Sequence, residues 1–352
     1  MADYLYIDKY IPTTFNNISF NHDAAKRLSA CAAGNLPHMI IKGCEGSGRK
    51  TFALLYIKEK YHLDKINIKH HVVEIKNGSK IVDLQMLYSD YHYHIEPSLN
   101  GVYDRIIVQG FIKDILQNKP ICKIPYNIII VNNADHLTLE AQQSLRRTLE
   151  KNISNCRFIF IVNQDSTLIE SLVSRCVQIR LSAATEQEIQ GILKNICQQE
   201  NLTYQESQLQ QLAIQSKRNI IKAMHALQYI NLVKPSLLVK NTPINLDEID
   251  INDQHINDLT LHIINSKKLQ DLTIARDIAY DLLVQCIEPI KILKSIFFKV
   301  FDYLEDDFKK HKLIELLVKY ENTLKQGSKP IYHIDAFSVG VVNLLNGNNL
   351  LN

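Results

Sequence analysis

A chain of 352 residues, 46% hydrophobic and 22% charged, has the composition of an ordinary globular protein and the length for two or three domains of roughly 150 residues. Its 40 Lys and Arg against 37 Asp and Glu leave a net charge of only +3, so any contact with nucleic acid has to come from a local surface or from other subunits. Seven cysteines, at 31, 44, 122, 156, 176, 197 and 286, never fall in a C-x-x-C spacing, which excludes a disulfide framework and a zinc knuckle.

The first 180 residues alternate short apolar runs with helical periodicity, the pattern of a parallel α/β sheet with flanking helices. His38 to Lys42 reads as a strand entering a glycine-rich turn, and Thr51 to His62 as the helix after it. Val72 to Ile75 is a short strand, while 81–90 and 103–117 are spaced as helices, the second with Ile106, Ile107, Phe111, Ile115 and Leu116 on one face. Asn127 to Val131 is apolar enough for a strand covered on both faces, and Thr138 caps a helix through Lys151. Arg157 to Val162 is another buried strand, and Val177, Ile179 and Leu181 alternate as the last one.

Beyond Leu181 only helices are expected. Thr185 with Glu188 forms a capping box for a helix to about Gln199, followed by helices near 206–216 and 219–233. Pro235, Asn241 and Pro243 mark a linker over 234–247. The rest is helical, with Ala275, Ile278, Leu282 and Leu283 on one face and Leu313, Leu316, Leu317, Tyr320 and Leu324 on another, ended by Gly327. The expected domains are therefore α/β over 1–181, helical over 182–240 and helical over 247–352. No run approaches 18 uninterrupted apolar residues and the first twelve residues hold no leader-like stretch, so a soluble intracellular protein is expected.

Gly43-Cys44-Glu45-Gly46-Ser47-Gly48 lies between a strand and a helix, where a phosphate loop belongs. Its glycines let backbone N–H groups turn toward phosphates, and the following helix N-terminus adds a favourable dipole. Gly43 and Gly48 satisfy G-x-x-x-x-G, but Lys and Ser/Thr should follow and Arg49 and Lys50 stand there, ahead of Thr51. Arg49 exchanges a compact ammonium for a planar fork, and Lys50 removes the hydroxyl that would hold Mg²⁺. After the strand ending at Val131, where an Asp for metal and a Glu for water should stand, Asn132 and Asn133 stand instead. An amide is neither a general base nor a strong ligand for a hard cation. The residues read as an altered nucleotide site that binds without hydrolysing.

These motifs, with others along the chain, resemble the small subunits of replication factor C, a sliding-clamp loader of the AAA+ class. Ile7-Asp8-Lys9-Tyr10-Ile11-Pro12 is similar to that family's D-K-Y-R-P, and Ala141 to Glu150 to its A-Q-x-x-L-R-R-T-M-E. Ser174-Arg175-Cys176 is similar to its S-R-C motif. Within the family, Lys50 before Thr51, Asp104 to Gln109, and Gly327 to His333 resemble the subunit type whose phosphate loop reads G-K-K-T.

The resemblance implies an α/β P-loop AAA+ domain, an all-α lid and an all-α C-terminal collar domain that joins five subunits. It further implies ATP or ADP held by Gly43, Gly46, Ser47, Gly48, Arg49, Lys50, Thr51 and the sensor Asn163, with Mg²⁺ binding weak or absent. Arg175 would be the arginine finger reaching a neighbour's γ-phosphate, while a second sensor Arg is replaced by Ile221 and another family Arg by Ile11. Every departure weakens the chain's own site and none touches the group that serves a neighbour. Implied partners are the other loader subunits, a PCNA-like sliding clamp and primer-template DNA, without any membrane. The implied location is the nucleus of a eukaryote or the replication site of a large DNA virus.

For DNA, Arg105, Lys113, Arg146 and Arg147 are candidate phosphate contacts, salt-sensitive and blind to sequence; solvated helix faces or internal ion pairs are the competing reading. His70-His71 and Tyr91-His92-Tyr93-His94 lack the carboxylates or cysteines that would complete a metal site and read as polar surface. Two other functions stay open: a catalytically active AAA+ ATPase or motor on DNA, and a nucleotide-free scaffold.

Overall fold

The most apolar runs of the chain become strands buried on both faces. In a computed structural model, which describes residues 5–34, 36–77, 80–117, 126–151, 155–233, 251–266, 271–327 and 329–346, these are β1 (Met39–Lys42), β5 (Asn127–Val131) and β6 (Cys156–Val162). Together with β4 (His92–Ile95) and β7 (Val177–Arg180) they run parallel in the order β4-β5-β6-β1-β7. Ile41 of β1 stands opposite Ile161 of β6 and Ile179 of β7. Two further strands, β2 (Lys69–Asn77) and β3 (Lys80–Tyr88), extend the sheet beyond β4 and are antiparallel.

This corrects three expectations. Residues 81–90 are not a helix: Val82, Leu84 and Met86 are buried at every second position with Asp83 and Gln85 between them, the alternation of a strand, and pairing with β2 and β4 fixes it. The sheet is mixed rather than purely parallel. Residues 91–94 are not polar surface, because β4 lies between β3 and β5 and His92 is buried. His70 and His71 are exposed, as expected.

Helices cover both faces because successive strand residues point to opposite sides. On one side α2 (His22–Ala33) and α3 (Arg49–Tyr61) bring Leu28, Phe52 and Tyr56 onto Ile41, Ile128 and Ile161. On the other, α4 (Asp104–Gln117) and α5 (Leu139–Lys151) bring Ile107, Phe111 and Leu145 onto Ile40, Ile129 and Phe158. Asp104 ties these two helices together, accepting bonds from the Thr138 N–H at 2.7 Å and hydroxyl at 2.9 Å.

A short helix, α6 (Glu170–Val173), precedes β7. Three more follow: α7 (Glu186–Gln199), α8 (Glu206–Gln215) and α9 (Ile220–Val233). The capping box of Thr185 and Glu188 opens α7 as its sequence requires. An N-terminal turn, α1 (Tyr6–Lys9), is held by these helices: the Tyr6 N–H donates to Gln228, and Glu200 accepts from Lys9 and Tyr10 at 2.6 Å each. Sheet and helices form one unit, Met1–Ile244.

The described residues of the second unit, Asn245–Asn352, form helices and their short connections. It contains α10 (Ile251–Asn265), α11 (Asp271–Val284), α12 (Pro289–Tyr303), α13 (Asp307–Gln326) and α14 (Pro330–Asn346) around a core including Ile263, Leu282, Ile296, Leu313 and Phe337. Gly327 caps α13, and prolines open α12 and α14, where a missing N–H costs nothing. The expected linker over 234–247 lies outside the described residues. Among those described, no helix is long and apolar enough to cross a membrane.

Candidate nucleotide site

The loop after β1 turns tightly because its sequence permits it. Gly46 and Gly48 have φ of 78° and 81°, the left-handed region that a side chain disfavours. Gly43 donates its N–H to Val162 at 3.2 Å, and the buried Ser47 closes the turn by donating its hydroxyl to the Cys44 carbonyl at 2.7 Å. Helix α3 starts at Arg49, so its unpaired N-terminal N–H groups and positive dipole end face the loop. Asn219 packs directly on the loop: a Cβ on Gly46 would lie 2.3 Å from its Oδ1. That same oxygen caps α9, accepting from the N–H groups of Ile221 at 3.0 Å and Lys222 at 3.2 Å.

The two basic residues after the loop diverge. Lys50 is exposed, and its charge joins burial in pushing His94 down to about 4. Arg49 is partly buried, and desolvation holds its guanidinium below the usual arginine value against the opposing pull of Asp135 and Glu45. Thr51 continues α3. Arg218 donates to the carbonyls of Ala184 at 3.1 Å and Ala183 at 2.9 Å, while Ile221 is exposed.

At the end of β5 the two amides have found a carboxylate. Asn132 and Asn133 each donate through Nδ2 to Glu96, one to each oxygen, at 2.5 Å. Glu96 follows β4, so the sheet brings a carboxylate beside these two amides. Sequence reading missed Glu96, since the partners are 36 positions apart and β4 itself went unrecognised. Asp135 was visible beside the asparagines without an assigned role; its Oδ2 accepts the Asn163 N–H at 3.1 Å.

Arg49 Nη1, Asn132 Oδ1, Asp135 Oδ1 and Asn163 Oδ1 are all buried without a hydrogen-bond partner. They come from segments that follow β1, β5 and β6, adjacent strands of the sheet. A buried polar atom left unpaired costs about 1–3 kcal/mol, so four at the ends of neighbouring strands mark a place for a polar ligand or ordered water. Arg49 Nη1, the one donor among these four, fits a polyphosphate together with the helix N-terminus, whereas the three oxygens accept and fit an ordered water or another donor. Asn132 offers only a neutral amide oxygen, a weaker ligand for a hard cation than a carboxylate. Among the described residues, no group of three His, Cys, Asp or Glu could hold a metal ion.

Arg175 lies away from this edge, after α6, and is 40% exposed. Its Nη1 donates to the Ser171 carbonyl at 2.7 Å, and its Nη2 meets Glu150 of α5 at 2.8 Å. Arg146 pairs with the same Glu150 oxygen at 3.4 Å. Arg147 and Arg105 instead line a groove of about 380 Å³ between α4 and α5. There Arg105 is bound to Glu140 at 2.8 Å. Lys113 lies on α4, with its side chain outside the described residues.

Comparison with known proteins covers nearly the whole chain. Residues 253–349 match the family described as replication factor C subunit 3, C-terminal domain, and residues 22–185 match the DNA polymerase III delta subunit family. The chain is 31% identical over 341 residues to replication factor C subunit 5 of Oryza sativa subsp. japonica, covering 95% of each protein. It is 31% identical to probable replication factor C subunit 3 of Dictyostelium discoideum, with 95% of this chain and 96% of that one covered. Against replication factor C subunit 3 of Homo sapiens identity is 29% over 342 residues, 95% of this chain and 94% of the other.

Proposed function

The chain belongs to the replication factor C family of clamp-loader subunits, and from that membership we propose that it is a hetero-pentamer subunit that helps load a PCNA-like sliding clamp onto primer-template DNA during replication. In this reading residues 1–181 form the nucleotide domain, 182–240 the lid and 247–352 the collar. The chain's own site holds ATP or ADP without turning it over, and Arg175 completes the site of a neighbour. The setting is the nucleus, or the replication site of a large DNA virus.

Within its own site, Arg49 and the N–H groups of the loop and α3 meet the phosphates, with Asn163 at the far end. Asn132 and Asn133 take no proton from an attacking water, because an amide has no basic lone pair at neutral pH. Glu96, bound by both amides, does not replace them. Arg175 acts elsewhere: its guanidinium stands half-exposed on the surface, ready to stabilise charge spread over a transferring phosphoryl group. Arg105, Lys113 and Arg147 are proposed to meet DNA phosphates along α4 and α5, at a salt-dependent affinity.

The observation that supports a retained but idle site is the orphaned Arg49 Nη1 beside the α3 N-terminus together with the amides at 132 and 133. The purified chain should bind ADP or ATP stoichiometrically with no turnover. In the reconstituted complex, Arg175→Ala should slow the interface it completes by ~10³-fold or more. Turnover by the lone chain, or unchanged turnover of the complex with Arg175→Ala, would overturn the assignment.

A further inference from the structure

We infer that Glu150, with Arg146 balancing its charge, is the positioning residue for Arg175; the inference rests on Arg175 acting in trans. Glu150 is the next-to-last residue of α5, where a negative charge opposes the helix dipole. Its ion pairs are about 40–50% exposed, and exposed pairs of this kind add little to stability. Neither helix formation nor folding energy therefore accounts for this carboxylate at this place.

Its geometry does. Arg175 sits on the short stretch between α6 and β7, and a long side chain there would sample many rotamers if left alone. Two contacts from different directions remove that freedom: Nη1 on the Ser171 carbonyl at 2.7 Å and Nη2 on Glu150 at 2.8 Å. Nη1 also reaches the Ser174 hydroxyl at 3.4 Å. A guanidinium has five N–H donors, and these contacts leave some for a phosphate.

A carboxylate bound to one arginine alone would cancel the charge that a finger needs. Here Arg146, one turn earlier on α5, shares the same Glu150 oxygen at 3.4 Å. Two guanidinium groups on one carboxylate leave a net charge of +1. The cluster thus fixes the direction of Arg175 while keeping it electropositive. It also separates Arg146 from its neighbour Arg147, which lines the α4–α5 groove. Arg146 is accordingly part of the finger assembly, not a DNA contact.

The test uses the reconstituted complex and its steady-state ATP turnover with Glu150→Gln, Arg175→Ala and the double variant. Glu150→Gln should remove about half or more of the turnover that Arg175→Ala removes, through kcat with KM for ATP unchanged, because misplacing a catalytic group by about 1 Å can cost ~10²-fold. Glu150→Asp should recover part of the loss. In the Arg175→Ala background, Glu150→Gln should have no further effect, as residues acting through one another are non-additive. Unchanged turnover with Glu150→Gln while Arg175→Ala impairs the complex overturns the positioning role alone. That role also fails if Glu150→Gln costs an equal fraction in both backgrounds. Unchanged turnover with Arg175→Ala overturns the finger assignment beneath it.

Discussion

Replacing Gly46 by Ala tests the contact between the phosphate loop and α9. Gly46 has φ of 78°, and an Ala there carries a strain of about 1–2 kcal/mol. The new Cβ would also lie 2.3 Å from Asn219 Oδ1, 2.7 Å from its Cγ and 3.1 Å from its Cα. Asn219 cannot simply swing away, because its Oδ1 caps α9; losing such a cap costs about 1 kcal/mol. The sum is about 2–3 kcal/mol. At about 2–4 °C per kcal/mol for a unit of this size, scanning calorimetry should show the Met1–Ile244 unit melting about 5–10 °C lower. Asn219→Ala forfeits the cap but removes the clash, so the double variant should be less destabilised than the sum of the singles by about 1 kcal/mol. An unchanged melting temperature for Gly46→Ala, or strict additivity, would refute the reasoning.

Arg49→Ala should weaken ADP or ATP binding by the chain about 10–100-fold, the worth of a charge-assisted bond, measured by equilibrium titration with a fluorescent nucleotide. Its melting temperature should stay level or rise, since the change removes a buried guanidinium whose Nη1 has no partner. Acid should destabilise the chain through its buried histidines. Burial, with Arg157 near His38, His94 near His92 and Lys50 near His94, lowers all three to about 4. The unfolded chain therefore binds more protons than the folded one between about pH 6.5 and 4. Stability is present above 6.5 and is lost as pH falls through that window, by about 1–2 kcal/mol per histidine at pH 5. Equal urea midpoints at pH 7 and 5 would contradict this.

Short spans of the chain encode the local devices directly. The strand–loop–helix from Met39 to Tyr61, the cap at Thr138, the box of Thr185 and Glu188 and the stop at Gly327 each depend on neighbours within a few positions. The amides at 132 and 133 are likewise legible, because their lack of charge is a matter of residue type. Reading failed where burial was long-range. Val82, Leu84 and Met86 alternate with Asp83 and Gln85, but the apolar Ile81, Leu87 and Tyr88 around them also suit a helix, and pairing with β2 and β4 makes the segment a strand. His92 reads as polar, yet in mid-sheet it is neutral and bonded at 2.6 Å to Ser89. Tertiary structure alone brought Glu96 to Asn132 and Asn133, Asn219 to Gly46, and Glu150 to Arg175. No local pattern encodes those pairs, because residues distant along the chain meet only once the hydrophobic burial of the sheet has set its strand order and docked its helices.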